Sequence, residues 1–191
     1  MHTLLFIGPQ GSGKGTQVSM LETVWQASGQ AVARIQTGDV FRALSAADSF
    51  AAQTINECIT AGRLMPNAIT DGLVVERILR EIDAQNTLIF DGYPRNQVQV
   101  ATLMEVLQFF GRKKIDVIHL DTPDAEVRER MEERGRSDDT SESIAARLAT
   151  YHQETEPLLE HFRSMDAVRV HDIDGADTME AVHDSIMNVL S

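Results

Sequence analysis

The sequence predicts an α/β fold, a three-layer sandwich of five parallel strands with helices on both faces. Three observations carry that reading. Short apolar runs rich in Val, Ile and Leu recur five times along the 191 residues. Most are nearly continuous rather than alternating, which suits strands buried on both faces. Longer amphipathic stretches separate the runs, the strand–helix alternation of a parallel sheet. Finally, a loop dense in glycine, "GPQGSGKGTQ" at 8–17, follows the first run directly. Glycine there costs stability unless backbone must approach something closely.

The elements follow in order. The strands are "TLLFIG" (3–8), "AVARIQ" (31–36), "TLIFDG" (87–92), "DVIHLD" (116–121) and "AVRVHDI" (167–173). A helix over 14–28 places Val18, Leu21 and Trp25 on one face, with Trp25 in the core. Residues 37–66 form a helical insertion in which Asp39 reads as an N-cap and Cys58 as a small buried residue. Val74, Ile78 and Ile82 share one face of a helix in 67–83. "TPDAEV" opens the next helix, with Thr122 as cap and Pro123 in the first turn. An arginine-rich turn at 134–140 leads to "DTSE", a capping box with Asp139 as cap and Glu142 three residues on. Ile144, Leu148, Tyr151, Leu158 and Phe162 line the helix that follows, kinked at Pro157, and a last helix covers 178–190. Met65, Met104 and Met131 read as packing residues.

Composition excludes several functions. With a net charge of −12 and no long basic stripe, nucleic acid is not the expected partner. One cysteine allows neither an internal disulfide nor a cysteine zinc site. The six histidines lack metal-ligand spacing and are expected at the surface or at helix ends. No stretch reaches membrane-spanning length and no secretion signal opens the chain, so a cytoplasmic protein is expected. No long apolar patch or heptad seam is left over, which favours a monomer.

What remains points to phosphate. Gly8, Gly13 and Lys14 match G-x-x-x-x-G-K after a strand and before a helix, where free N–H groups and the helix dipole favour an anion. Ser or Thr usually follows the lysine; here Gly15 intervenes before Thr16. Of 17 basic residues 14 are arginines, the side chain suited to forked phosphate contacts. Arg130 and Arg134 lie four apart on one helical face, Arg136 follows, and Arg147 lies a few turns on. Such a cluster becomes favourable once an anion fills it. Asp91 ends a buried strand, where a carboxylate needs a partner such as a metal ion or its waters.

"GPQGSGKGTQ", "TGDVFR", "GRLMP", "FDGYPRNQVQ" and "RGRSDD" with a later arginine occur in the order and spacing of the adenylate kinase family, and the chain resembles that family from the first strand to about Glu156 and more weakly to Ser191. The resemblance implies a P-loop kinase fold with an NMP-binding insertion at 37–66 and a short lid at 134–140. It implies phosphoryl transfer between ATP and AMP, giving two ADP, with Mg2+. Gly11, Ser12, Gly13, Lys14, Gly15 and Thr16 would hold the ATP phosphates, Thr16 beside the metal. Arg130 would stack on the ATP adenine and Gly175 offer it backbone. Thr37, Gly38, Arg42, Met65, Gly92, Arg95 and Gln99 would bind AMP, Gln99 reading its base. Asp91 would act on the metal through water. Lys14, Arg95, Arg134, Arg136 and Arg147 would serve the transfer, Lys14 facing solvent within its loop. Asp138 and Asp139 would hold the lid shut. UMP/CMP kinases are the near alternative, since they share nearly every phosphate-handling residue; they usually show Ala and Asn where this chain has Thr37 and Gln99, whereas Asn96 resembles theirs. A nucleotide-binding regulator without turnover is the remote one. The lid is short: only Gly135 separates Arg134 from Arg136.

Overall fold

The structure is a computed structural model that describes residues 2–136 and 138–191. Five strands, β1 (Thr3–Ile7), β2 (Val32–Gln36), β3 (Thr87–Asp91), β4 (Ile115–Asp121) and β5 (Val168–Asp174), pair in parallel in the order β2-β3-β1-β4-β5. The helices are α1 (Lys14–Ala27), α2 (Thr37–Ser45), α3 (Phe50–Thr60), α4 (Asn67–Glu81), α5 (Gln97–Phe109), α6 (Asp124–Arg134), α7 (Ser141–Thr150), α8 (Leu158–Arg163) and α9 (Met179–Leu190). This is the expected sandwich.

The sheet divides its side chains by the two-residue period of a strand. Leu5, Ile7, Leu88, Phe90 and Val117 face α4, α5 and α8, where Val74, Ile78, Val100, Leu103, Leu107 and Phe162 meet them. Leu4, Phe6, Ile89, Ile118 and Leu120 face α1 and α9, meeting Val18, Leu21, Trp25, Val182 and Ile186. Both faces are apolar, so the runs read as continuous. β1 lies between β3 and β4, and the chain turns to opposite sides on leaving them. That opens a crevice at their carboxyl ends, the usual ligand site of such sheets.

Several local expectations shift. Asp39 does not cap α2, which begins at Thr37; its carboxylate pairs with Arg42 instead. Thr140, not Asp139, caps α7 by accepting from the Ser143 N–H at 3.2 Å. α6 starts at Asp124 with Pro123 at the cap, and the Thr122 hydroxyl is buried without a partner. Before Pro157 the chain passes through a π-helical turn, Tyr151–Thr155, which absorbs the break between α7 and α8. The sequence does not announce α5: it buries Gln99, Val100, Leu103 and Leu107 yet exposes Val98 and Phe109, so its pattern is weakly amphipathic. Cys58 is only half-buried, its thiol turned toward the Arg63 and Leu64 carbonyls. His119 lies in β4, buried between Asp172 and the Tyr151 hydroxyl, not at a surface or helix end. Trp25, Met65 and Met131 are core, and Met104 packs against it.

Candidate active site

At the carboxyl ends of β1 and β3 the crevice widens into a cavity of about 830 Å³. Its floor is the glycine loop. A methyl at Gly11 would sit 2.7 Å from Met131 Cγ, so the loop can lie against α6 only as bare backbone. Gly13, in the left-handed region at φ 93°, turns the chain into α1 with no side chain capping it. The first N–H groups of α1 therefore point into the cavity, with the positive end of the helix dipole behind them.

Lys14 departs from expectation. It does not reach into solvent; its ammonium folds back over the loop and donates to the carbonyls of Gly8 (2.8 Å) and Pro9 (2.6 Å). Burial pulls its pKa down to about 8, aided by the charges of Arg95 and Arg134 and opposed by Asp91. Its charge thus lies at the mouth of the loop, ready for an anion that would restore its basicity.

Asp91 finds its partner within the chain. Arg34 Nη2 donates to Asp91 Oδ2 at 2.8 Å, and the same guanidinium touches Ser19 Oγ and Glu22. Sequence reasoning missed Arg34. The available signal was a basic residue amid the apolar run of an edge strand, on a side chain that lines the cavity. No described hydrogen bond takes Asp91 Oδ1, and among the described residues no three His, Cys, Asp or Glu side chains form a metal cage.

One end of the cavity is built by β3 and the insertion. The Thr37 hydroxyl donates to the Gly92 carbonyl at 3.0 Å, tying α2 to the end of β3. Gly92 is in the left-handed region at φ 78°, and a methyl there would meet Arg95 Nη2 at 3.0 Å. Arg95 in turn donates through Nε to the Gly92 carbonyl at 2.8 Å, aiming its terminal nitrogens into the cavity. A methyl at Gly38 would meet the Arg42 guanidinium at 3.2 Å, and Gln99 and Met65 also line this end. Burial works against the charge of Arg95; Asp91 supports it, while Arg147 and Arg42 oppose it.

Opposite lie the remaining arginines. Arg134 grips Asp139 with Nε at 3.0 Å and Nη2 at 2.9 Å. Arg147, nearly buried, reaches Asp138 at 2.6 Å, Asp139 at 2.8 Å and the Ile59 carbonyl of the insertion at 3.3 Å. Asp138 is held below the usual carboxylate range: burial raises it, but the Arg147 charge and hydrogen bond prevail. Asp139 lies behind the arginines rather than on the cavity wall. None of the described ion pairs involves Arg136, which lines the cavity. Arg130 is anchored by Glu126 and by the Gly175 carbonyl, both at 2.8 Å. Gly175 can only be glycine, since a methyl would fall 2.1 Å from Thr122 Oγ1. Ser12, Gly15 and Thr16 complete the wall; Ser137 of the turn lies outside the described residues.

The arrangement gathers lysine and arginine side chains around bare loop backbone at a helix N-terminus, which suits phosphate groups. The family model described as adenylate kinase matches residues 6–167. The chain is similar to the adenylate kinase of Leptospira biflexa serovar Patoc, 34% identical over 191 residues and 98% of each chain. It is similar to adenylate kinase 1 of Nostoc sp., 36% identical over 182 residues and 95% of each. The adenylate kinase of Parvibaculum lavamentivorans is 34% identical over 194 residues, 98% of this chain and 91% of its own. A basic cleft over a helix N-terminus, matched along nearly its whole chain to these relatives, places the protein in the adenylate kinase family.

Proposed function

We propose an assignment of roles within this cavity for the reaction of the family. The chain is an adenylate kinase, an ATP:AMP phosphotransferase interconverting ATP plus AMP with two ADP. UMP/CMP kinase activity and a regulator without turnover are not favoured by those relatives. The observation that carries the roles is convergence: Lys14, Arg42, Arg95, the neighbouring pair Arg134 and Arg136, and Arg147 come from five separate places in the chain to one cavity.

Phosphoryl transfer asks mainly for positioning and charge stabilisation. The acceptor phosphate is already ionised near neutrality, its second pKa being about 6, so no base is needed. Among the described residues no histidine lines the cavity. The N–H groups after Gly13 and the Lys14 ammonium hold the donor phosphates. Arg42 and Arg95 hold the AMP phosphate, Thr37 and Gln99 meet its base, and Arg130 with Gly175 meets the ATP base. Arg134, Arg136 and Arg147 surround the group in transit.

Mg2+ fits these residues. Bound with nucleotide, it takes one or two protein oxygens alongside phosphate and water, so a cage of carboxylates is unnecessary. The Thr16 hydroxyl is an oxygen donor of that kind, and Asp91 Oδ1, with Arg34 confined to Oδ2, is open to a water of the metal. The metal would supply charge neutralisation on the donor phosphates.

Residues 37–66 and 134–140 are the segments that exclude water by closing. Gly62 already packs on α7, where a methyl would lie 2.9 Å from Ala146 Cβ. The substrates, the common adenine nucleotides, suit a cytoplasmic enzyme, and no described helix is long and apolar enough to cross a membrane.

The test is ADP formation from ATP with AMP, UMP or CMP. AMP should win by at least about tenfold in kcat/KM, roughly 1.4 kcal/mol. Preference for UMP or CMP would overturn the acceptor assignment.

A further inference from the structure

The Gln99 carboxamide is held at both ends, by the Arg95 backbone and by Asn67. Its Oε1 accepts from the Arg95 backbone N–H at 2.7 Å, and its Nε2 donates to Asn67 Oδ1 at 3.0 Å. Asn67 is the first residue of α4 and is not among the cavity-lining residues. Its own orientation is set in turn. Asn96 caps α5 by accepting the Gln99 backbone N–H on Oδ1 at 3.1 Å, which turns Asn96 Nδ2 toward Asn67 Oδ1 at 2.8 Å. A backbone N–H can only donate. Two of them, at Arg95 and Gln99, therefore settle the direction of all three amides.

Each end of the Gln99 amide keeps one site for a ligand. One Nε2 hydrogen goes to Asn67 and one remains; one Oε1 lone pair goes to Arg95 and one remains. The cavity thus meets an acceptor base with a donor and an acceptor in fixed order. Adenine offers a ring nitrogen that accepts and an amino group that donates. Hypoxanthine reverses both, presenting N1–H and O6 at the same places. To read it, Gln99 must flip, setting its NH2 against the Arg95 N–H and its carbonyl against Asn67 Oδ1.

We propose that Asn67 is a specificity-determining positioning residue: by locking the Gln99 carboxamide it selects 6-amino over 6-oxo purine monophosphates. The inference rests on Gln99 reading the acceptor base. It also gives Asn96 a purpose unrelated to pyrimidines, as the brace that turns Asn67.

The experiment measures kcat/KM for AMP and for IMP, with ATP as donor, on the wild type, Asn67→Ala, Asn67→Asp and Gln99→Ala. Both substrates are read on one preparation, so any unfolded fraction cancels from the ratio. Asn67→Ala should lower the AMP:IMP ratio about three- to tenfold, the worth of one hydrogen bond, with the ATP KM unchanged. Asn67→Asp keeps the acceptor oxygen and should stay within about twofold of wild type. A wild-type ratio in Asn67→Ala, or an Asn67→Asp as impaired as Asn67→Ala, overturns the proposal. If Gln99→Ala leaves the ratio intact, the base-reading role itself fails; if it alone collapses the ratio, only the role of Asn67 fails.

Discussion

Arg34 holds Asp91, its Nη2 2.8 Å from Oδ2, across the ends of neighbouring strands β2 and β3. The Asp91 side chain is 8% exposed and that of Arg34 20%, so the pair is largely removed from water. A carboxylate so placed without its cation keeps its desolvation cost and loses the attraction. Arg34→Leu should therefore cost about 1–3 kcal/mol, below the value for a fully buried pair because one partner is partly wet. Urea unfolding at pH 7 measures it, and adding Asp91→Asn should recover much of the loss. A cost within about 0.5 kcal/mol of zero is the range of an ordinary surface change and would show that the pair does not matter.

Lys14, with its pKa near 8, should leave a signature in the pH profile. In the free enzyme the charged ammonium is lost as pH rises through about 8, so kcat/KM for ATP should fall there. Bound phosphate favours the charged form, so the corresponding fall in kcat should move to higher pH. The sign for stability is opposite. Between about 8 and 10.5 the unfolded lysine binds more protons than the folded one, so this group makes the ligand-free protein more stable as pH rises. In Lys14→Arg, which stays protonated, an unchanged alkaline fall would assign it to another group.

Arg95 spends Nε on the Gly92 carbonyl and aims a fork at the cavity. A lysine there keeps the charge but cannot grip two phosphate oxygens. Arg95→Lys should lose at least about tenfold in kcat/KM for AMP, roughly 1.4 kcal/mol. Kinetics close to wild type would move Arg95 out of the site.

Gly62 combines φ 66° with α7 close against it, Ser143 O lying 3.1 Å from the place of a Cβ. Gly62→Ala faces left-handed strain and a clash at once and should cost about 1–3 kcal/mol. Thermal unfolding tests this. A variant as stable as wild type would mean that the insertion sits farther from α7 than described.

The parts legible in the sequence were those written locally. The five apolar runs became the five strands, and the glycine loop announced its helix N-terminus. The arginines could be named because a cluster on one helix face has no use without an anion. What stayed hidden depends on partners distant in the chain. Arg34 meets Asp91 57 positions on, and Gln99 meets Asn67 32 positions back. Lys14 turned inward because two loop carbonyls offered acceptors that no spacing rule reveals. Caps slipped by a residue where adjacent polar groups competed, as with Asp139 and Thr140: the arginines claimed the carboxylate and left the hydroxyl to the helix.

Asp138 and Asp139 give the cavity an unusual relation to ionic strength. They already occupy donors of Arg134 and Arg147, so a phosphate arriving there competes with carboxylates, while none of the described ion pairs engages Arg95 or Arg136. The attraction left over is short-ranged, and it sits in a protein of net charge −12. Beyond about 10 Å a nucleotide meets mostly repulsion, which dissolved ions screen. Adding salt to a dilute buffer should thus speed nucleotide association, the reverse of an enzyme that steers its substrate in by long-range attraction.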